Sequence, residues 1–173
     1  MKLIKKKLNG VYVFKLSKYS DKRGFFSETY KKSNYEKYLK NIKFKQDNIS
    51  LSNYGVVRGL HYQIKPHEQG KLVNVIKGKI FDVVLDIRKI SKSYGKYFSI
   101  ILSEKNNYQI WIPNGFAHGF MSLSNETIIK YSTTNEYSPK NEKTIFWKDK
   151  RFNIKWPKHK NIVISNKDKK LFI

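Results

Sequence analysis

The chain contains no cysteine, so neither a disulfide framework nor thiolate chemistry is open to it. No run approaches the roughly 18 apolar residues that carry a helix across a bilayer. The apolar stretch that follows the basic start, in MKLIKKKLNGVYVF, is too short for the core of a secretory signal. A soluble, cytoplasmic protein with no membrane partner is the expectation. Acidic residues are scarce, 13 against 36 basic ones, and arginine is scarcer still, with only Arg23, Arg58, Arg88 and Arg151. The formal charge of +23 invites a nucleic-acid reading. Against it, the lysines are scattered, KKK at 5–7 being the longest run, and the residue best suited to bidentate phosphate and base contacts is the rare one. The charge therefore reads as a solvated lysine surface without a nucleic-acid partner, able to attract an anionic small ligand.

What is present is a chain of short β-type runs between turn signals. The 173 residues suit one domain spanning 1–173. Asn9-Gly10, Asp21 to Gly24, Asn53-Tyr54-Gly55, Lys77-Gly78, Tyr94-Gly95 and Pro113-Asn114-Gly115 punctuate segments rich in Val, Ile, Phe and Tyr. KLVNVIKGKIFDVVLDIR reads as two strands, while YFSIILSE and IIKYSTTNEYSP read as further strands. Only SNYEKYLKNI, at 33–42, has a helical spacing. Many short strands in one domain predict an all-β fold, a sandwich or barrel of jelly-roll type with a few helical turns.

The stretch GVVRGLHYQ places Arg58 and His61 three residues apart in a strand-like run. In a regular strand odd spacing sends two side chains to opposite faces. The intervening Gly59 is what a bulge needs to bring both to one side. With Gln63 and Lys71 close in sequence, the group would suit proton abstraction beside a carbonyl, although a lone strand histidine is more often a packed residue and Lys71 more often a solvated one. No His-x-His pair with a suitably placed Glu and further His is present, so no metal is expected. IWIPNGFAHGF holds His118 between glycines, which a ligand or a plain hairpin would both explain. Tyr131 and Tyr137 share a strand parity and could donate protons, but twelve tyrosines single out neither. RGFFSE, at 23–28, reads equally as a turn with a core strand. Residues alone lead to a β-sandwich with a possible acid–base site for an anionic ligand.

Taken together, RGFFSETY, QDNISLSNYGVVRGLHYQ, QGKLVNVIKGKIFDVVLDIR, IWIPNGFAHGF and YSP..E...FW.D...I.WP closely resemble the dTDP-4-dehydrorhamnose 3,5-epimerase family, from about Gly10 to Asp168. That resemblance implies a cupin-type jelly roll, a homodimer, and an isomerase that needs no metal or cofactor. Its substrate would be a nucleoside-diphosphate 4-keto-6-deoxy sugar, used in deoxysugar biosynthesis for cell-surface polysaccharide. By the match, His61 is the base, Asp168 its orienting partner, Lys71 the stabiliser of the oxyanion and Tyr131 the acid. Arg23, Glu28, Gln46, Asp47, Asn48, Arg58, His118, Tyr137, Glu142 and Lys167 fall where the family contacts its substrate. Relatives that epimerise C3 alone, or act on GDP-linked 4-keto-6-deoxyheptoses, share the histidine, the lysine and often the tyrosine. A sugar-nucleotide 3,4-ketoisomerase and a non-catalytic binding module are the alternatives of another class.

Overall fold

Each strand alternates its side chains between two environments, and the turn glycines decide where the chain changes direction. The computed structural model describes residues 1–169. One sheet is built of β1 (Lys2–Lys7), β2 (Val11–Lys15), β10 (Tyr108–Ile112), β7 (Lys71–Lys77), β12 (Thr127–Thr133) and β5 (Gln46–Ser52), in that order. The other is built of β13 (Glu142–Thr144), β6 (Val56–Gln63), β11 (Phe116–Ser122), β8 (Lys79–Asp86) and β9 (Tyr97–Ser103). A short β14 (Val163–Ile164) runs parallel to the start of β6. β3 (Tyr19–Asp21) and β4 (Gly24–Phe26) form a hairpin that joins neither sheet. Among the described residues no helix is long and apolar enough to cross a membrane.

The two sheets face each other as the expected jelly-roll sandwich, because consecutive strands cross between them. The turn at Gly78, with φ +84, carries the chain from β7 in one sheet to β8 in the other. Pro113-Asn114-Gly115 does the same between β10 and β11, so IWIPNGFAHGF is a sheet-to-sheet corner and not a hairpin. Val13, Val73, Ile80, Val84, Leu102 and Ile110 meet between the sheets, all fully buried. Each such side chain contributes roughly 1.5–3 kcal/mol by leaving water.

Both outer faces are also covered. Phe14, Leu72 and Trp111 pack beneath Tyr35 and Leu39 of the segment that follows the hairpin. The helix expected over 33–42 shrinks there to α1 (Lys32–Tyr35), with turns after it. Lys31 provides no side-chain cap, and a nucleus this short gains little by extending. One helical turn already brings Tyr35 and Leu39 onto the sheet. On the other side Leu60, Val83 and Leu85 are covered by Phe152, Ile154 and Trp156. Both faces of β8 are therefore apolar, which explains why its sequence shows no clean alternation.

β6 and β11 approach unusually closely where Gly59 faces Gly119. Gly59 has φ +106, and a Cβ built on it would lie 2.6 Å from the His118 carbonyl oxygen and 2.7 Å from Gly119 Cα. Both obstacles are backbone and cannot swing aside. Replacing Gly59 by alanine should cost about 1–3 kcal/mol or more, read as a lowered midpoint in urea unfolding. A midpoint equal to the parent's would contradict this packing.

Candidate active site

The pairing of β6 with β11 contains an irregularity at Gly59, where the sequence calls for one. Arg58 is opposite Phe120 and His61 opposite His118. Two residues of β6, Gly59 and Leu60, therefore stand against the single Gly119. This is a β-bulge, and it restores Arg58 and His61 to one face. That face lines a cavity of about 580 Å³ between the sheets, which also receives Lys71, His118, Tyr131 and Asp168.

The bulge leaves the Gly59 N–H without a ladder partner, and Asp168 captures it through Oδ2 at 3.3 Å. The other oxygen of the same carboxylate lies 2.5 Å from His61 Nε2. Asp168 is buried, 3% exposed, and reaches this point because β14 aligns the preceding residues along β6. Burial pushes its carboxyl up, but the hydrogen bonds from His61, Gly59 and Ser165 outweigh that and hold it below the usual range. A carboxylate can only accept, so Nε2 carries the proton and Nδ1 is the free basic nitrogen of His61.

The opposite sheet contributes Lys71 from the first position of β7 and Tyr131 from β12. Lys71 is half-buried, and its Nζ lies 3.5 Å from the His61 carbonyl oxygen. Desolvation pushes its ammonium group down to about 8, against the opposing pull of Glu142 and Asp82. Burial raises the Tyr131 phenol, which keeps it protonated at neutral pH. A base stands on one wall and a proton donor and a cation on the other, which is the arrangement proton transfer at carbon requires.

The exposed rim is a second cluster. The Tyr137 hydroxyl donates to Glu142 at 2.7 Å, and Lys167 pairs with the same carboxylate oxygen. Burial raises Glu142, but the bonds from Lys167 and Tyr137 bring it net below its ordinary value. Gln46 accepts the Tyr137 backbone N–H at 2.8 Å and donates to Asn48 at 2.7 Å, so β5 supports this rim. β12 ends at Thr133, so the shared parity expected of Tyr131 and Tyr137 does not apply. The loop after β12 brings Tyr137 to the cavity instead. Gln63 tethers the loops around His67 and Glu136 and does not line the cavity.

Gln46 and Asn48 do not themselves line the cavity, and Arg23, Glu28 and Asp47 make their contacts away from it and its rim. Arg23 pairs with Asp21 on the β3–β4 hairpin, and Glu28 accepts from Asn34. Asp47 points to the outer side of β5, bonded to Ser132 and near Lys130. The arginines follow a pattern that is present in the sequence and that motif reasoning passes over. Arg23, Arg88 and Arg151 each bind the aspartate two residues earlier, namely Asp21, Asp86 and Asp149. Arg58 alone has no carboxylate partner among the described residues; its Nε donates to Ser52 Oγ and a terminal nitrogen to the Leu51 carbonyl, each at 3.0 Å. Ser52 and Asp82 also escape sequence reasoning. The signal for Asp82 is a carboxylate between Ile80 and Val84 on one face of an apolar strand, a face that Asp86 shares only at the strand's last residue.

A profile of the dTDP-4-dehydrorhamnose 3,5-epimerase family matches residues 5–172. The protein of that name from Shigella flexneri is 46% identical over 169 residues, covering 97% of this chain and 93% of its own length. The Legionella pneumophila dTDP-6-deoxy-D-glucose-3,5-epimerase, solved with dTDP-4-keto-L-rhamnose, superposes with a TM-score of 0.93 at 41% identity, covering 96% of this chain and 89% of its own. The Bacillus anthracis dTDP-4-dehydrorhamnose 3,5-epimerase, solved with TDP and pyrophosphate, gives 0.93 at 38%, covering 98% and 97%.

The depressed Lys71 can be checked without any substrate. Amine-reactive labelling followed across pH by peptide mass spectrometry should show Lys71 half-titrated near pH 8, well below the range of ordinary lysines near about 10.4. Titration together with the surface lysines would refute the desolvation argument.

Proposed function

This chain belongs to the dTDP-4-dehydrorhamnose 3,5-epimerase family, and from that membership we propose that it epimerises a dTDP-linked 4-keto-6-deoxyhexose at C3 and C5. It is an isomerase of deoxysugar biosynthesis. The observation that carries the reading is the Asp168–His61 pair, whose free Nδ1 shares a cavity with Tyr131 and Lys71 from the facing sheet.

The 4-ketone acidifies the hydrogens on its two neighbouring carbons. His61 Nδ1 takes one of them, and the electron pair moves into the C–C bond to leave an enolate with charge on O4. Asp168 stabilises the imidazolium that forms. The Lys71 ammonium offsets the oxyanion charge in a site sheltered from water. Tyr131 donates its own proton to the carbon from the opposite side, which inverts that centre; His61 then gives up its proton to solvent and Tyr131 regains one from solvent, and the sequence repeats at the second carbon. Each positioned acid or base contributes about 10²–10⁴-fold. Arg58, His118 and Lys167 serve the diphosphate and sugar, and Tyr137, Glu142, Gln46 and Asn48 shape the rim.

Arg23 and Glu28 need a different route to the ligand, since both lie outside this chain's cavity. The hairpin that carries Arg23 exposes Tyr19, Phe25 and Phe26, at 65%, 62% and 67%, and pairs with neither sheet. We assign these residues to a neighbouring copy's site, in a homodimer in the cytoplasm, with 1–173 acting as one domain. Asp47, facing outward from β5, takes part only through Gln46 and Asn48 beside it.

Incubation with dTDP-4-keto-6-deoxyglucose in D₂O tests the chemistry. The parent should take up two deuterons, at C3 and C5, and His61→Ala should exchange about 10²–10⁴-fold more slowly with an unchanged circular dichroism spectrum. One deuteron at C3 would make the enzyme a C3 epimerase, and none would overturn the reaction. Because Lys71 is an ammonium ion below about pH 8 and neutral above, turnover should fall as pH rises through that value. A monomer by light scattering would remove the role given to Arg23 and Glu28.

A further inference from the structure

His118, in the cavity wall, forms a second histidine–carboxylate pair with Asp82, a residue to which the proposed reaction gives no role. His118 Nε2 lies 2.7 Å from Asp82 Oδ2, and the two residues are 8% and 0% exposed. His118 stands directly across the ladder from His61. Asp82 sits on β8 opposite Phe120, on the face that otherwise carries Ile80 and Val84 of the main core. Its other oxygen, Oδ1, is buried with no hydrogen-bond partner among the described residues.

A half-satisfied carboxylate in an apolar core is destabilising relative to a hydrophobic residue of similar size. Packing therefore gives no reason for aspartate here, and the reason has to lie in what its charge does. Two effects follow from its position. As an acceptor it forces the proton of His118 onto Nε2, leaving Nδ1, which has no bond to the protein among the described residues, for the ligand. Its negative charge also reaches Lys71, whose Nζ lies 3.5 Å from the carbonyl oxygen of His61, the residue directly across the ladder from Asp82's partner His118. Lys71 receives no direct carboxylate bond among the described residues. An orphaned oxygen is what such long-range use requires, because a neutralising hydrogen bond or ion pair would screen it.

The geometry points to Asp82 as a positioning residue that orients His118 toward the bound sugar nucleotide and keeps the Lys71 side chain charged beside the developing oxyanion. This rests on the epimerase reading for its substrate, though not for the state of the His118 ring. The groups facing Lys71 are Arg58 and His61 from β6, Asp82 from β8 and His118 from β11. Tyr131 from β12, Glu142 from β13, Tyr137, and Lys167 with Asp168 from the last segment complete its surroundings. Glu142 is already engaged by Lys167 and Tyr137, and Asp168 by His61. Both bonds to Glu142 fall on one oxygen, and the Lys167 ammonium offsets its charge; among the described residues Asp82 is the carboxylate whose unpartnered oxygen is buried.

The test begins with the parent. It has four histidines, few enough for long-range ¹H–¹⁵N spectra to assign each ring. His118 should appear with Nε2 protonated, as the neutral tautomer or the imidazolium. A neutral ring protonated on Nδ1 would overturn the proposal whether or not any variant folds. Asp82→Asn should then relax that preference, raise KM about tenfold through the loosened His118 contact, and move the alkaline limb of kcat/KM to lower pH by about one unit. The direction follows because removing a negative charge near Lys71 favours its neutral form. An Asp82→Asn enzyme with altered thermal stability but an unmoved limb would show Asp82 to be structural only and refute its role toward Lys71. Should the parent show the predicted ring but no deuterium uptake, the epimerase reading fails and the orientation of His118 by Asp82 stands. The converse result removes this inference alone.

Discussion

The carboxylate of Asp168 is the point on which the site depends, because its two oxygens tie together features that are far apart in the chain. One oxygen satisfies the Gly59 N–H that the β6 bulge exposes, and the other holds His61. The bulge and the dyad are therefore mutually dependent. Without the bulge, Arg58 and His61 would face opposite ways, and a buried backbone donor would not be there to attract Asp168. Without Asp168 that donor would be orphaned, at a cost of about 1–3 kcal/mol. The glycines at 59 and 119 permit this by letting two backbones approach where no Cβ fits. The close approach of two strands, the geometry of the His61–Asp168 pair and the docking of the last described segment are one structural decision.

The jelly roll divides the chemistry between its two sheets. Arg58, His61 and His118 come from neighbouring strands of one, and Lys71 and Tyr131 from neighbouring strands of the other. A cavity between sheets can thus offer a base to one face of a flat intermediate and an acid to the other, which a single sheet could not do. The ends of the sandwich share this labour unequally. Val13, Val73, Ile80 and Ile110 form a dry core, and it is this apolar mass that lets the polar end hold several buried ionisable groups. Desolvating Lys71 lowers stability, yet the same desolvation strengthens its interaction with a developing oxyanion. Function here is maintained against local stability and is supported by packing elsewhere.

Much of this is legible in the chain itself. Turn residues and β-type runs point to the jelly roll, and the parity conflict between Arg58 and His61 locates the bulge at Gly59. What is not legible has physical causes. Strand order is set by which edges meet, so nothing in PNGF marks it as a crossing between sheets rather than a hairpin. Asp168 lies 107 residues from His61, and proximity across that distance is a property of topology; only family resemblance brings it forward. The helical spacing at 33–42 overestimates the helix because spacing predicts which face is buried, not how many turns are required to bury it. Asp82 is visible as an anomaly on an apolar face, but its partner on β11 is not. The aspartate two residues before three of the arginines is readable, yet no motif draws the eye to it.

That arginine pattern also resolves the charge of +23 into parts with different roles. Asp21, Asp86 and Asp149 bind Arg23, Arg88 and Arg151 through short local loops, and Asp86 is further bonded by Ser91 and Ser93. Those guanidinium groups are engaged within this chain in holding turns. Arg58 differs in kind. Neutral partners, Ser52 Oγ and the Leu51 carbonyl, fix its plane without cancelling its charge. The same principle recurs in part at Lys71, where Glu142 and Asp168 are engaged by other groups and no carboxylate bonds the ammonium directly among the described residues. The scattered surface lysines, screened over about 8 Å at physiological salt, can raise the encounter rate with a dianionic sugar nucleotide, but they do not select it. On the proposed reading selection lies with the few cations in the cavity that no carboxylate bonds directly among the described residues, Arg58 and Lys71, which a sugar nucleotide would complete.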